Sequence, residues 1–301
     1  MKLSAYSLLL VALMVVIACT QSAPAQTFKR VKVKGGATLA QIAAGGASVW
    51  ARASNGNPYI LKGKLFVLAN SISLSQIAVG GGNALQADAV WGLDSSGNIY
   101  KATKSGTSWV FSPIPGVLDF IAVGIGYNDS CHPYEVWGLN PAAQIFRYNF
   151  CVQNWDQVPG SLATLAVGNS DIWGINGNGA VFRFRFSKLL FYQVVTAPTL
   201  TQITVGPNGV WGIDGNGTGQ LYQYDNDLSF FGYPGLWAQV QVGGDGVWLS
   251  SATDSGQIFR FDPSTRFLVL IPNQFVSISA GSGGGVWGIN SSGQAYGFST
   301  P

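Results

Sequence analysis

The sequence predicts an all-β fold, a ring-shaped β-propeller of seven four-stranded units, with six as the alternative count. Three observations lead there. Of 301 residues 40 are Gly and 13% are aromatic, while only 10% are charged. Helices with solvated faces need more Lys, Glu and Arg than this, whereas short strands joined by tight turns do not. Second, Val-Trp or Ile-Trp recurs at Trp50, Trp91, Trp137, Trp173, Trp211, Trp248 and Trp287, at separations of 41, 46, 36, 38, 37 and 39 residues. Third, no 3.6-residue periodicity accompanies the repeat, which excludes an α-solenoid, and the coils of a β-helix are usually shorter than this period.

Each unit reads as strands in a fixed order. An apolar stretch ending in Gly comes first, as in the "IAVG" from Ile121 and the "ITVG" from Ile203. The Val-Trp-Gly stretch follows, then an aromatic segment such as the "QIFRY" from Gln144. An aromatic lies nine residues after the Trp in five copies (Tyr59, Tyr100, Phe146, Phe182, Tyr296) and eleven after it in two (Tyr222, Phe259). Between strands two and three lie turns such as Asp94-Ser95-Ser96-Gly97 and Asn176-Gly177-Asn178-Gly179. Asp or Asn opens a type I turn by bonding its own backbone, and Gly supplies the left-handed residue that closes the hairpin. A fourth strand is clearest in the "WDQVPGSLATLAVG" from Trp155, where Pro159-Gly160 is expected to turn the chain into the next unit.

The last repeat stops at the "AYGFSTP" from Ala295 without a fourth strand, and the segment from Phe28 is an orphan strand of matching pattern. The N-terminal strand is therefore expected to complete the last unit and remove an open edge. The repeated Trp, mid-strand between Val and Gly, is expected to pack against the next unit rather than to stack on a ligand.

This unit resembles the tectonin repeat of secreted β-propeller lectins, the tachylectin-type and fish-egg lectins among them, and the resemblance spans essentially the whole chain after residue 25. Trp50 followed by Ala51-Arg52 and Trp248 followed by Leu249-Ser250 depart from the Trp-Gly pattern. The resemblance implies carbohydrate binding without catalysis, directed at microbial-surface or otherwise unusual glycans, and gives no site residue to carry over.

Residues 1–25 have the layout of a secretory leader: Lys2, an apolar run from Tyr6 to Ala18, then small residues. Residues 26–301 form the single propeller domain. Two processing chemistries fit. Ala23-Pro24-Ala25 would leave Gln26 as the mature N-terminus; Val16-Ile17-Ala18-Cys19 resembles a lipobox with Cys19 acylated, which would anchor the protein to a membrane. The first fits slightly better because Ile before Ala is unusual in a lipobox. Either route takes the protein out of the cytosol, to the periplasm or the extracellular space, where Cys131 and Cys151 form an even pair suited to a disulfide.

His132 is the single histidine, which rules out His-based metal clusters and confines any Ser-His-Asp triad to that residue. No Walker, G-x-S-x-G or H-E-x-x-H pattern is present. No cofactor, metal or catalytic residue is expected. One loop stands out: the third repeat inserts Tyr127, Asn128, Asp129, His132 and Tyr134 beside Cys131. With Trp137 opposite Phe146 in the hairpin, Cys131 falls opposite about position 152, close to Cys151. A pinned loop with a ring and rigid acceptors has the parts of a sugar site.

Charge is uneven. Residues 26–104 carry nine Lys or Arg against two Asp, and residues 105–301 carry six against eleven acidic residues. Lys29, Lys32, Lys34, Lys62 and Lys64 are candidates for binding an anionic polymer or a phosphorylated lipid head, or else guard an exposed strand edge. A net charge of +3 on an exported chain argues against nucleic acid. The expected function is a secreted, non-catalytic propeller binding glycan or glycolipid; the alternative is an extracellular protein-interaction scaffold without sugar specificity.

Overall fold

The structure, a computed structural model, describes residues 27–83, 85–168, 171–215, 218–225, 229–283 and 285–299. The leader and Cys19 lie outside the described residues. Among the described residues the regular elements are twenty-eight strands and one 3-10 turn (Lys34–Gly36). The chain opens with β1 (Thr27–Val33). Unit 1 is β2 (Leu39–Ala44), β3 (Val49–Ala53), β4 (Pro58–Lys62) and β5 (Leu65–Leu68). Unit 2 is β6 (Gln76–Gly80), β7 (Ala89–Leu93), β8 (Asn98–Ser105) and β9 (Ser108–Val117). Unit 3 is β10 (Phe120–Asp129), β11 (His132–Leu139), β12 (Gln144–Asn149) and β13 (Asn154–Ser161). Unit 4 is β14 (Thr164–Val167), β15 (Ile172–Ile175), β16 (Val181–Arg185) and β17 (Leu190–Gln193). Unit 5 is β18 (Leu200–Gly206), β19 (Gly209–Asp214), β20 (Leu221–Tyr224) and β21 (Phe230–Tyr233). Unit 6 is β22 (Trp237–Gly243), β23 (Gly246–Ser251), β24 (Gln257–Asp262) and β25 (Phe267–Gln274). Unit 7 has only β26 (Ser277–Ala280), β27 (Val286–Ile289) and β28 (Ala295–Ser299), and β1 pairs antiparallel with β28 to supply its fourth strand. The N-terminal strand thus completes the last unit.

One feature of the closure was not expected. The end of β1 also pairs in parallel with β5, Lys32 against Leu65 and Val33 against Phe66, so units 7 and 1 merge into one eight-stranded sheet. The other units remain separate four-stranded sheets.

The repeated Trp packs as expected. Trp50, Trp91, Trp137, Trp173, Trp211 and Trp248 are 0 or 1% exposed, and Trp287 is half-buried. Each presents its ring edge-on to an aromatic of the next unit. Trp91 meets Tyr148 at 4.8 Å between ring centres, Trp137 meets Phe184 at 4.8 Å, and Trp173 meets Tyr224 at 4.9 Å. Trp211 meets Phe261 at 4.8 Å and Trp248 meets Phe298 at 4.5 Å. These partners occupy one position of the third strand. Where that position is Ala102, Trp50 meets Trp109 and Phe111 of the fourth strand instead, with Phe111 directly opposite Ala102. Where it is Leu61, Trp287 meets Phe66, again the residue opposite.

The Gly after the Trp has a steric reason. A Cβ at Gly138 would lie 2.3 Å from a Leu118 methyl, and one at Gly174 would lie 2.4 Å from a Leu162 methyl. That leucine lies where the chain enters each unit, and its backbone ties the units together. The N–H of Leu74, Leu118, Leu162, Leu200, Trp237, Phe275 and Leu39 donates to the turn carbonyl of the preceding unit, at 2.9–3.1 Å. The last of these bonds runs from unit 1 to Gly293 of unit 7 and closes the ring.

Two local expectations are corrected. Pro159-Gly160 does not turn the chain into unit 4; it forms a bulge inside β13, where Ile145 pairs with Val158 and Gln144 with Ser161. Gly160 takes φ +121° there, which a bulge accommodates without ending the strand. The second hairpin also sits one residue off the expected register: Trp137 lies opposite Arg147, and Gly138 opposite Phe146. A residue in the left-handed region, Ala143 at φ +59°, closes that turn and moves the pairing by one.

Replacing Trp91 by Ala opens a void against Tyr148 and Trp155, and the expected loss of stability is about 3–5 kcal/mol in urea denaturation. Phe28→Ala at the closing strand should lose a comparable amount, because Phe28 contacts Trp248, Phe275 and Phe298 across the unit 6–unit 7 boundary.

Candidate functional site

The third-unit loop is a long hairpin end formed by β10 and β11. Cys131 and Cys151 are bonded, with Cα atoms 4.9 Å apart, and the Phe150 N–H donates to the Cys131 carbonyl at 2.9 Å. Asp129 accepts from the Cys131 N–H at 2.9 Å and contacts His132 Nδ1 at 2.6 Å. Those two partners, the backbone N–H first, hold the Asp129 carboxyl below the usual range. His132 is 7% exposed, and its Nε2 is buried without a described hydrogen-bond partner. Tyr134 sends its hydroxyl to the Ala87 carbonyl of unit 2 at 2.9 Å, and its ring packs beside Phe150. Of the expected sugar-contacting set, the structure brings Asp129, His132 and the disulfide together. Tyr134 and His132 are turned inward to hold the loop, so neither offers an open stacking face. The side chains of Tyr127 and Asn128 lie outside the described residues.

Beneath this loop lies a charge cluster that sequence reasoning missed. Glu135 is fully buried and receives Arg147 Nε at 2.8 Å, Arg147 Nη2 at 2.5 Å and the Trp137 indole N–H at 2.7 Å. The register explains it: Arg147 lies directly across from Trp137, and Glu135 precedes that Trp by two on the same face. The same arrangement recurs more openly as Asp171–Arg183 over Trp173. The signal was present in the sequence as an acid two residues before the Trp and an Arg ten after it.

The central channel holds a cavity of about 500 Å³ lined by the first strands of all seven units. Gln41, Gln76, Gln202 and Gln239 occupy one repeat position there. Their amides are committed to the neighbouring unit's backbone. Gln41 both donates to and accepts from Ile77 at 3.0 Å, and Gln76 does the same with Ile121 at 3.0 and 3.1 Å. These side chains are bolts between units, and they leave the channel wall to small residues and backbone.

A second cavity, of about 390 Å³, opens on the opposite face between units 4 and 5. Its lining is the Asn176–Gly179 turn and the Thr199–Thr201 segment, together with Thr164 and Gly215. The Asn176 side-chain Oδ1 accepts from the N–H groups of Asn178 and Ala180 at 3.0 and 2.9 Å. Thr201 Oγ1 donates to the Asp214 carbonyl at 3.1 Å. Exposed Asn178 stands at the rim, and a Cβ built on Gly177 meets nothing within 4 Å. The groove exists because this turn, Asn-Gly-Asn-Gly, carries less side chain than Asn140-Pro141-Ala142-Ala143 or Asn290-Ser291-Ser292-Gly293. Among the described residues no group of three or more His, Cys, Asp or Glu could hold a metal ion.

A family model described as the tectonin domain matches residues 38–182 and 183–300. The chain belongs to the tectonin family. No curated protein matches this tectonin sequence. Solved structures do share its fold. One described as YCF48 bound to D1 peptide is 13% identical, with a TM-score of 0.66 over 93% of this chain and 99% of that one. YCF48 from Cyanidioschyzon merolae is 13% identical, with a TM-score of 0.62 over 90% of this chain and 98% of that one. Human WBSCR16 is 9% identical, with a TM-score of 0.60 over 87% of this chain and 86% of that one. At these identities the likeness is one of fold.

On the tectonin ring the expected anion-binding lysines fall together. Lys29, Lys32 and Lys34 on and after β1, and Lys62 and Lys64 at the β4–β5 turn, are all exposed. They occupy the seam where units 7 and 1 merge.

Replacing Glu135 by Ala strands the buried Arg147 charge, and the expected cost is about 3–5 kcal/mol. Glu135→Leu combined with Arg147→Met should recover most of it, as thermal unfolding of the native protein and the two variants will show. The Asp129 carboxyl, held low in the folded protein, contributes stability that is full above the ordinary Asp pKa and lost as pH falls through the lower folded value. The stability advantage of the native protein over Asp129→Asn should therefore be complete at neutral pH, begin to fall only near the ordinary Asp pKa of about 3.9, and disappear once pH is below the lower folded value, in a pH series of denaturation curves.

Proposed function

We propose that this tectonin propeller is a non-catalytic carbohydrate-binding protein of the extracellular or periplasmic space, and that it takes its glycan in the groove between units 4 and 5. The groove is the observation that carries the reading. Its wall presents amide and hydroxyl groups already held in place by the backbone, which is what recognition of sugar hydroxyls requires. The open space above Gly177 leaves room for a ring to lie against the turn. The Asp129–His132 loop is a second, smaller polar surface on the other face. An exported location is supported by the leader-like residues 1–25 and by the Cys131–Cys151 bond, which persists in oxidising compartments.

A protein-interaction scaffold is the second reading. It is favoured by the outer strand β25, whose Phe267, Val269 and Leu270 are 58, 48 and 52% exposed on an unpaired sheet edge. Unpaired strands of this kind accept an extended peptide as an added strand. A similar fold is known bound to a peptide, in the YCF48 structure.

The two readings separate on a glycan array probed with the purified protein and with Gly177→Phe, a variant that fills the groove without displacing a neighbour. Glycan binding that weakens by about tenfold or more in Gly177→Phe, with the melting temperature unchanged, is the expected outcome; tenfold corresponds to about 1.4 kcal/mol. Absence of binding to every glycan, with a protein partner captured through β25, would overturn it.

A further inference from the structure

The merged edge of units 7 and 1 has two faces of opposite character. Val31, Val33, Leu61 and Phe66 point inward and pack with Trp287 in the wedge between the two units. Residues one step along each strand point the other way. Lys32, Leu65 and Lys62 are directly paired across β1, β5 and β4, so they form one row on the outer face. Arg30 lies two residues before Lys32 on the same face, and Lys34 and Lys64 follow at the strand ends. All five cations are exposed, and none has an ion-pair partner among the described residues.

Units 1 and 7 supply no acidic side chain to this edge, and the carboxylate that reaches unit 1, Asp88 of unit 2, is taken up by the Gly46 and Ala47 N–H groups and the Ser48 hydroxyl. Residues 26–87 and 263–301, which build β1 and all of units 1 and 7, contain no Asp or Glu. Three arginines elsewhere, Arg147, Arg183 and Arg260, have a carboxylate partner among the described residues. A guard against strand-edge pairing does not account for this row, because β1 and β5 are already paired to each other at the seam. Edge protection is therefore a redundant role for Lys32 and Lys62.

We propose that this seam docks the protein on a membrane surface rich in anionic phospholipid. The row crosses the apex of a wedge, which is convex, and neither described cavity includes any of its residues. A convex face without a cradle suits charges that move to meet it, as headgroups in a fluid leaflet do. Four to eight clustered Lys or Arg are enough for such adsorption. The chain reaches β1 eight residues after Cys19, which follows the apolar run from Tyr6 to Ala18. Eight residues span at most about 28 Å. A chain held at a membrane through that segment would keep the start of β1 within that distance of the headgroups.

The test is co-sedimentation of the full-length chain with vesicles of phosphatidylcholine alone and of phosphatidylcholine with phosphatidylglycerol. Cys19→Ser is present in every arm, so that no acyl group contributes. The readout is the ratio of binding to the two vesicle types. A ratio well above one is expected, falling steeply with added salt and by about fivefold for each of Lys32→Gln and Lys62→Gln. Lys188→Gln, an exposed lysine on unit 4 across the ring, should leave the ratio unchanged. Melting temperatures of the variants establish that they fold. A ratio near one, or one that Lys188→Gln lowers as much as the seam variants do, overturns the proposal. So does seam-dependent binding to a soluble anionic polysaccharide without binding to the anionic vesicles. Because the vesicles carry no sugar, this outcome is independent of the glycan reading.

Discussion

Edge-on packing of each repeated indole against an aromatic of the following unit is the interaction on which the ring depends. A four-stranded antiparallel sheet has two faces, and in a ring each must be covered by a neighbour. The indole is large enough to span that gap, and the sheet must be cut back beside it so that the leucine entering the unit can reach the strand. Trp-Gly is thus one steric solution, in which Leu118 occupies the space a side chain at Gly138 would take. Ala51 and Leu249, which replace that Gly in units 1 and 6, are themselves fully buried, so the packing is rearranged there rather than abandoned. The shift from Ala102 to Phe111, and from Leu61 to Phe66, shows that the aromatic partner is kept in place even when the strand that supplies it changes.

This constraint decides where function can reside. The repeated residues face their neighbours, and the repeated glutamines of the channel are bonded to backbone, so little of what recurs is offered to solvent. Ligand chemistry is left to the turns and outer strands, where the copies differ. The unit 4–unit 5 groove follows from a turn stripped to Asn-Gly-Asn-Gly. The seam follows from a strand that belongs to unit 7 by pairing and adjoins unit 1 by position. Both are departures from the repeat, made possible because the indole contacts already hold the ring.

Much of the fold was legible because its signals are local. Seven Trp at near-constant spacing, an Asx-type turn and a Gly nine or fewer residues on define a hairpin within a single stretch of chain. The Cys131–Cys151 bond was legible for the same reason, as both residues belong to one hairpin. Pro159-Gly160 misled because a Pro-Gly pair serves equally as a turn or as a bulge, and pairing with β12 chose the bulge. The candidate site was less legible. Tyr134 reads as a free ring in sequence and is in fact tied to Ala87, 47 residues away. Glu135 and Arg147 read as ordinary charges until the register brings them together beneath the loop.

From residue order one can derive the all-β class, the unit and its strand order, the buried fate of the Trp and the completion of unit 7 by the N-terminal strand. Each follows from period, turn chemistry or an unmatched strand, and none requires knowing the distance between units. The parallel pairing of β1 with β5, the commitment of the channel glutamines, the inward turn of His132 and the width of the unit 4–unit 5 groove came from the folded ring alone. They depend on how closely two sheets approach, and that distance is set by side chains from both units at once, which no single stretch of sequence contains.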